Sequence, residues 1–418
     1  FQVAILFAVT GALIYVILSW SGLLVSILSE DFRVYFYLIA LLIVGRQAYS
    51  VARGSLMGLG LESRSEPLNI LKKSLFVGLA LSLVYAGYGI VGVLIGHIVA
   101  TTIVSIVAYA ILAQHIDYRS LAVRTPGGFP KRELLSFNGL SIILILLTAS
   151  LYHVDILFLR LLVGDQSTGY YKAALVIAEF LWFVPNALQT VLLHSSSELW
   201  SNDQTDHISS LASKITRYNT SFTLLLVIGL AALASDFIPL YYGSEFDTAV
   251  LPLLLLLPGA LGFALARPIF AIGQGKGQLR ILIIATGAAS IINLSLNTLL
   301  IPPYGMTGAA MATSIGYGSM LLFHVLAAQK IGFSPTSNLR IKRLIIVGTS
   351  SAVVIFGLSS IIRDSLVSMI LVPPIGFAVY TLLTVRLSVI SSAEIITLTQ
   401  NLPSPVQSQI KRIMSMVD

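Results

Sequence analysis

Long apolar segments follow one another along nearly the whole chain, and they constrain its fold more than any other feature. A helix needs about twenty consecutive apolar residues to cross the hydrocarbon core of a bilayer. Twelve segments have this character, and charged residues make up only 10% of the chain. The sequence therefore predicts an all-α polytopic membrane protein. The predicted transmembrane helices are 2–28, 34–53, 70–87, 89–113, 134–163, 168–195, 212–235, 247–272, 278–301, 303–329, 341–362 and 365–387.

The basic residues are distributed unevenly among the connecting loops. If the loops between the predicted helices are numbered along the chain, the even-numbered loops and the tail hold 19 of the 25 Lys and Arg residues. The odd-numbered loops hold only Arg33 and Arg363. Because basic loops stay on the cytoplasmic side, we expect both ends of this chain to be cytoplasmic, in the plasma or inner membrane. The net charge of +7 is then a topology signal. It predicts contact with membrane lipids and no nucleic-acid partner.

An internal repeat indicates how the helices are organised. The Tyr-Gly-x-x-Gly pattern at 88–92 recurs at 304–308, and Ala52-Arg53 is matched by Ala266-Arg267 at almost the same offset. Six predicted helices separate the copies. An even number gives both copies the same orientation in the membrane. The repeat therefore predicts two pseudo-symmetric helical lobes, related as parallel repeats.

The repeat also sets the expected domain boundaries. The counterpart of 134–195 in the first lobe would fall before residue 1, so we expect two further helices in the intact protein, fourteen in all. Prolines and glycines at 126–130 break any helix and mark a linker. The expected parts are an N-terminal lobe at 1–113, a cytoplasmic linker at 114–133, a six-helix lobe at 134–330, two additional helices at 331–387 and a cytoplasmic tail at 388–418.

Charged side chains inside two of the apolar segments point to function. Each costs at least about 2.5–3.5 kcal/mol near a bilayer centre, so such residues normally face a cavity or a partner. Lys172, Glu179 and Asn186 are seven residues apart, which places them on one face of a helix, with Gln189 on the adjoining turn. This polar stripe predicts a transport pathway. A buried structural ion pair is the alternative for Lys172 and Glu179.

Arginines and a second carboxylate complete the candidate set. Arg46 and Arg53 are seven apart on one helix, as suits bidentate phosphate binding. Positive-inside topology is the alternative for Arg53 and Arg267, and snorkelling to headgroups is the alternative for Arg160. Asp155 and Glu179 are the candidates for sensing a coupling ion, because carboxylates in a low-dielectric cavity can share a proton or hold a cation. The predicted substrate-binding residues are Arg46, Arg53, Arg160, Lys172, Asn186, Gln189 and Arg267.

Three stretches of the sequence carry a resemblance to a known family. They are VDILFLRLLVGDQSTGYYKAALVIAEFLWFVPNALQTVLL, LPLLLLLPGALGFALARPIFAIGQGKG and NLSLNTLLIPPYGMTGAAMATSIGYG. The chain resembles the oligosaccharide and polysaccharide flippases, Wzx-like polysaccharide biosynthesis proteins of the multidrug/oligosaccharidyl-lipid/polysaccharide exporter superfamily. The resemblance implies a fold like that of the multidrug exporters, with two lobes around a V-shaped central cavity.

The resemblance also implies a function. It predicts a non-enzymatic flippase without cofactor or metal, which translocates a lipid-linked oligosaccharide of the polyprenyl-phosphate type to the outer leaflet by alternating access. H⁺ or Na⁺ would be the coupling ion, and glycan-assembly enzymes would be partners of the protein. The alternatives are a cation-coupled multidrug or metabolite exporter of the same superfamily and a membrane glycan polymerase or ligase. The latter needs a sizeable extracellular loop, and the odd loops are short.

Overall fold

The structure, a computed structural model, describes residues 2–23, 32–116 and 131–399. All regular elements in these ranges are helical. Most of the predicted linker at 114–133 and much of the predicted tail at 388–418 lie outside the described residues. The chain divides into two compact units, Phe1–Phe129 and Pro130–Asp418.

The described residues of the first unit form four α-helices. They are α1 (Gln2–Trp20), α2 (Arg33–Gly58), α3 (Glu62–Leu83) and α4 (Gly89–Leu112), with a π-helical turn at Val84–Tyr88 between the last two. Helix α4 packs against both α2 and α3. The core at one end of this unit joins Tyr49, Ala52 and Leu56 of α2 to Val104 and Ala108 of α4. Small residues on α4 let neighbouring helices approach closely, as is common in membranes.

Nine α-helices lie in the described part of the second unit, residues 131–399. They are α5 (Lys131–Leu162), α6 (Asp165–Glu179), α7 (Phe183–Ser201), α8 (Thr205–Tyr242), α9 (Val250–Gly275), α10 (Leu279–Ile331), α11 (Ile341–Ile361), α12 (Ser365–Arg386) and α13 (Ser392–Leu398). Helix α9 is the central element, since it packs against α6, α7, α8 and α10. Its apolar side chains form the core with those of α5, α6 and α10. Helices α11 and α12 pack against α8 and form a separate small core.

The two copies of the Tyr-Gly-x-x-Gly pattern have the same backbone geometry. Gly89 has φ 51° and ψ −136°, and Gly305, which divides α10 into two arms, has φ 55° and ψ −132°. Residues with a Cβ rarely adopt a positive φ of this kind. The glycines therefore allow the chain to turn sharply at matched positions in the two units.

Nine helical segments in the described residues are long and apolar enough to cross a membrane, and the protein is a multi-pass membrane protein. Two of these segments contain the glycine turns, and the predicted total of twelve helices stays a prediction. The boundaries differ from expectation in one informative place. Helix α3 begins at Glu62, before the predicted start at 70. Lys72 and Lys73 stand at the start of the predicted helix and were included in the count of basic loop residues, but they lie well inside α3.

The predicted continuous helix at 168–195 is also interrupted. A short 3-10 segment at Phe180–Trp182 separates α6 from α7. Pro185 explains the break, because it has no N–H to donate to the carbonyl of Leu181 and its ring crowds that carbonyl. The seven-residue spacing of Glu179 and Asn186 therefore does not follow a regular α-helical face.

Candidate ion and substrate sites

Asp155 lies in the middle of a buried hydrogen-bond network in the second unit. Its carboxylate is fully buried and accepts a hydrogen bond from the hydroxyl of Tyr171. The Thr313 hydroxyl donates to the same carboxylate at 2.9 Å, and the backbone N–H of Ile156 donates at 2.8 Å. Buried polar groups of this kind are strongly constrained, because each missing partner costs the desolvation of the remaining group. Helices α5, α6 and α10 thus meet at one carboxylate.

Two asparagines extend the network along α10. The amide nitrogen of Asn293 lies 3.5 Å from the Thr313 hydroxyl, and Asn297 donates to the side-chain oxygen of Asn293 at 3.1 Å. The side-chain oxygen of Asn297 is buried and has no hydrogen-bond partner among the described residues. The same residues contain no group of three or more His, Cys, Asp or Glu side chains placed to hold a metal ion. The network is therefore a set of mostly neutral oxygen and amide groups around one carboxylate.

The sequence of α6 explains why Tyr171 reaches Asp155. Gly164 has φ 115° and lets the chain enter α6 directly after α5. Tyr171, Ala174, Leu175 and Ala178 are buried, a spacing of three and four residues that defines one helical face. The small alanines on this face let the aromatic ring pass between the helices. Tyr171 itself is fully buried.

Lys172 and Glu179 follow on the partly exposed side of α6. No ion pair joins them to each other or to Asp155 within the described part of the chain. Asn186 is exposed on α7. Arg160 forms an ion pair with Asp165 at 2.9 Å, where α5 ends and α6 begins. The roles predicted for these residues stay predictions.

The first unit has a cationic pocket of about 320 Å³. It is lined by Arg46, Tyr49 and Arg53 of α2 and by Lys72 of α3. The Lys72 ammonium lies 3.9 Å from the centroid of the Tyr49 ring, a cation–π contact. Arg53 pairs with Glu66 at 2.6 Å. The pocket combines three cations with one neighbouring carboxylate, so it retains a net positive charge that suits a phosphate.

The second unit has a pocket of about 390 Å³ whose largely apolar lining includes several polar side chains. Arg267 and Gln189, both predicted for the substrate site, line it together with Tyr152 and Gln274. Arg267 donates a hydrogen bond to the Tyr152 hydroxyl at 2.6 Å. The structure therefore brings Arg46 together with Arg53, and Gln189 together with Arg267. Lys172 and Asn186 line neither pocket.

Several residues of these sites were absent from the sequence-based set, and four of them make the contacts that matter most here. They are Lys72, Tyr152, Tyr171 and Thr313. Tyr171 lies within the first of the three stretches that carry the family resemblance, but that resemblance gave it no role. Tyr152 lies three residues before Asp155, a spacing that places two polar side chains on neighbouring positions of one face and could have suggested it.

A comparison with protein families decides where the chain belongs. A family model described as "Polysaccharide biosynthesis protein" matches residues 1–251. The chain belongs to this family. Among curated proteins it is similar to the "Probable low-salt glycan biosynthesis flippase Agl15" of Haloferax volcanii, with 22% identity over 367 residues, 85% of this chain and 74% of that protein. It also resembles an uncharacterized membrane protein of Methanocaldococcus jannaschii, with 25% identity over 54% of this chain and 45% of that protein.

Solved structures with the same fold include transporters of the superfamily expected from the sequence. The lipid II flippase MurJ, in an inward closed conformation, matches with a TM-score of 0.69 and 17% identity over 90% of this chain and 81% of that chain. An outward-facing multidrug resistance transporter of the MATE family matches with a TM-score of 0.62 and 15% identity, over 78% of this chain and 77% of that chain. The predicted superfamily fold is thus confirmed.

Proposed function

We propose that this protein is a flippase for a lipid-linked oligosaccharide of the polyprenyl-phosphate type, acting in surface polysaccharide or glycoprotein biosynthesis. It moves the substrate from the cytoplasmic to the outer leaflet of the cell membrane by alternating access. Membership of the polysaccharide biosynthesis family and the flippase named among its relatives support this proposal. The observation that carries it is the cationic pocket of Arg46, Arg53 and Lys72.

The charge of this pocket distinguishes between substrates. An anionic phosphate brought into low dielectric needs cations or hydrogen-bond donors to offset its desolvation. Arg46 and Lys72 supply positive charge, and Arg53 adds a planar guanidinium that can bind two phosphate oxygens at once. A cationic drug would be repelled by the same groups. The pocket therefore favours a phosphate-bearing lipid over the substrates of a multidrug exporter.

Asp155 and Glu179 are the proposed ion-coupling residues. Asp155 is fully buried and is surrounded by hydroxyl and amide groups that can be rearranged around a proton or a Na⁺ ion. Glu179 is partly buried on the same helix as Tyr171. Binding of a cation at Asp155 would offset the cost of burying its charge. That gain is available to drive a conformational change only if the cation binds one state better than the other.

Transport in reconstituted vesicles tests the proposal. The full chain would be placed in liposomes that contain a fluorescent polyprenyl-diphosphate oligosaccharide, and the fraction accessible to an external quencher would be followed with time. Faster equilibration between leaflets than in protein-free vesicles is the expected result. If the vesicles accelerated efflux of a cationic dye and left the glycolipid in place, the exporter alternative would replace the flippase.

A further inference from the structure

Several arginines of the helical segments have their charge balanced by a carboxylate, whereas Arg267 has no such ion pair among the described residues. Three of those arginines form ion pairs with carboxylates: Arg53 with Glu66, Arg160 with Asp165 and Arg217 with Glu394. Arg267 is partly buried in α9, and no carboxylate of the described residues forms an ion pair with it. A guanidinium inside a membrane protein without such a partner favours the binding of an anion.

The contacts of Arg267 leave hydrogen-bond donors for a ligand. One terminal nitrogen donates to the Tyr152 hydroxyl at 2.6 Å. The guanidinium carbon lies 4.9 Å from the centroid of the Phe263 ring and 5.9 Å from that of Tyr152. The Nε atom is buried without a hydrogen-bond partner among the described residues. A guanidinium carries five N–H donors. Tyr152 takes one and the Nε–H is buried, so the other terminal N–H groups are left for an acceptor in the adjoining pocket of about 390 Å³, which Arg267 lines.

Tyr152 is itself held firmly. Its ring packs 5.5 Å from Trp182 and 5.6 Å from Phe263, measured between centroids. Trp182 is fixed in turn, because its indole N–H donates to the carbonyl of Ala260 at 3.1 Å. The phenol oxygen therefore has a defined position from which it can orient the guanidinium of Arg267.

We propose that Tyr152 is a positioning residue for a phosphate-binding site centred on Arg267. The phenol accepts one N–H of Arg267 and thereby directs its remaining donors toward the pocket. A planar guanidinium binds phosphate through two parallel hydrogen bonds, so its orientation matters as much as its charge. Naming the phosphate of the lipid carrier as the ligand rests on the proposed function. The site itself rests on the contacts of Arg267.

Binding of farnesyl diphosphate, a short polyprenyl diphosphate, tests this assignment. Its dissociation constant would be measured by calorimetry with the full chain in detergent, and that of farnesol, which has no phosphate, would be measured beside it. Tyr152→Phe should weaken farnesyl diphosphate binding about tenfold and leave farnesol binding unchanged. Arg267→Gln should weaken it further. A purely structural role for Tyr152 would affect both ligands alike.

Tyr317→Phe is the matched control. Tyr317 belongs to the same aromatic group, 4.9 Å from Phe263, but its buried hydroxyl has no hydrogen-bond partner among the described residues. This variant should bind both ligands as the unaltered protein does. The proposal would be overturned if Tyr152→Phe bound farnesyl diphosphate with a dissociation constant within twofold of that of the unaltered protein. It would also be overturned if the two tyrosine variants lost the same affinity, or if the unaltered protein did not bind farnesyl diphosphate.

The transport assay separates this proposal from the flippase itself. If farnesyl diphosphate binds through Arg267 and Tyr152 but the vesicles do not move the glycolipid, the flippase proposal fails and the phosphate site stands. If the glycolipid is moved and Tyr152→Phe leaves both binding and transport unchanged, the flippase stands and the positioning role of Tyr152 is wrong.

Discussion

The hydroxyl of Tyr171 donates a hydrogen bond to the carboxylate of Asp155, and both side chains are fully buried. Tyr171→Phe removes this donor and changes little of the shape of the side chain. We expect it to lower the free energy of unfolding by about 1–3 kcal/mol, because the buried carboxylate loses a hydrogen bond. Thermal unfolding in detergent would measure this. Tyr317→Phe, which removes a hydroxyl without a partner among the described residues, should be neutral, and equal losses in both variants would contradict the network.

Asp155→Asn separates the charge of this site from its hydrogen bonds. An asparagine keeps the shape and can still accept a hydrogen bond from Tyr171, but it can neither take up a proton nor balance the charge of a cation. We expect the variant to insert and fold, and to transport glycolipid at a rate that no longer responds to an imposed H⁺ or Na⁺ gradient. Vesicles with and without each gradient provide the measurement. A full gradient response in the variant would exclude Asp155 as the coupling residue.

The sequence predicted the unusual character of Asp155 but not its partners. A carboxylate inside an apolar segment is visible from hydropathy alone. Thr313, however, lies 158 residues after Asp155, and only the packing of α5, α6 and α10 brings the two together. The matched glycine turns could be predicted from the sequence, because a backbone position with a positive φ strongly favours glycine. By contrast, the residue types of Asp155 and Thr313 do not show which residue each of them contacts in the folded core.

Lys72 and Lys73 provide a direct test of the cationic pocket in the first unit. Both residues stand at the start of the predicted helix 70–87, whereas α3 begins at Glu62 and has polar sequence ahead of them. Lys72 lines the pocket and contacts Tyr49, whereas Lys73 is exposed and does not line it. Lys72→Gln should weaken binding of a polyprenyl diphosphate about tenfold, and Lys73→Gln should not. Equal effects of the two changes would indicate general attraction of the anion to a basic surface.

Glu394 links the segment after the last long helix to the membrane domain. It forms an ion pair with the fully buried Arg217 and accepts hydrogen bonds from the backbone N–H and hydroxyl of Ser391 at 2.9 and 3.0 Å. Glu394→Gln leaves the Arg217 charge without its carboxylate. Removing one partner of a fully buried pair costs about 3–5 kcal/mol, and the loss should be smaller here because Glu394 is partly exposed and screened by solvent. It would appear as a lower melting temperature. Glu198→Gln, at an exposed carboxylate of α7, is a control that should change little.

The same carboxyl group predicts a pH dependence. Partial burial alone would raise the pKa of Glu394, but the hydrogen bonds from Ser391 and the charges of Arg217 and Arg340 lower it below its ordinary value of 4.5. A lowered pKa in the folded state gives stability that is present above pH 4.5 and is lost as the pH falls through the folded pKa. The melting temperature should therefore fall in this acid range, and by less in Glu394→Gln. An identical acid response in the variant would assign the effect to other groups.

Gly308 tests whether the close helix turn after Gly305 is needed for folding. A Cβ at Gly308 would overlap the carbonyl oxygen of Leu300 in the preceding arm of α10, and backbone atoms cannot move aside as a flexible side chain can. Gly308→Ala should therefore destabilise the protein by about 3 kcal/mol or prevent its accumulation. At the repeat-matched Gly92 the added Cβ would lie 2.9 Å from the Leu83 side chain, so a smaller loss is expected there. Gly229→Ala, with no atom within 4 Å of the new Cβ, should be neutral or slightly stabilising. If Gly308→Ala melted at the same temperature as Gly229→Ala, the two arms of α10 would not be held at the close approach seen here.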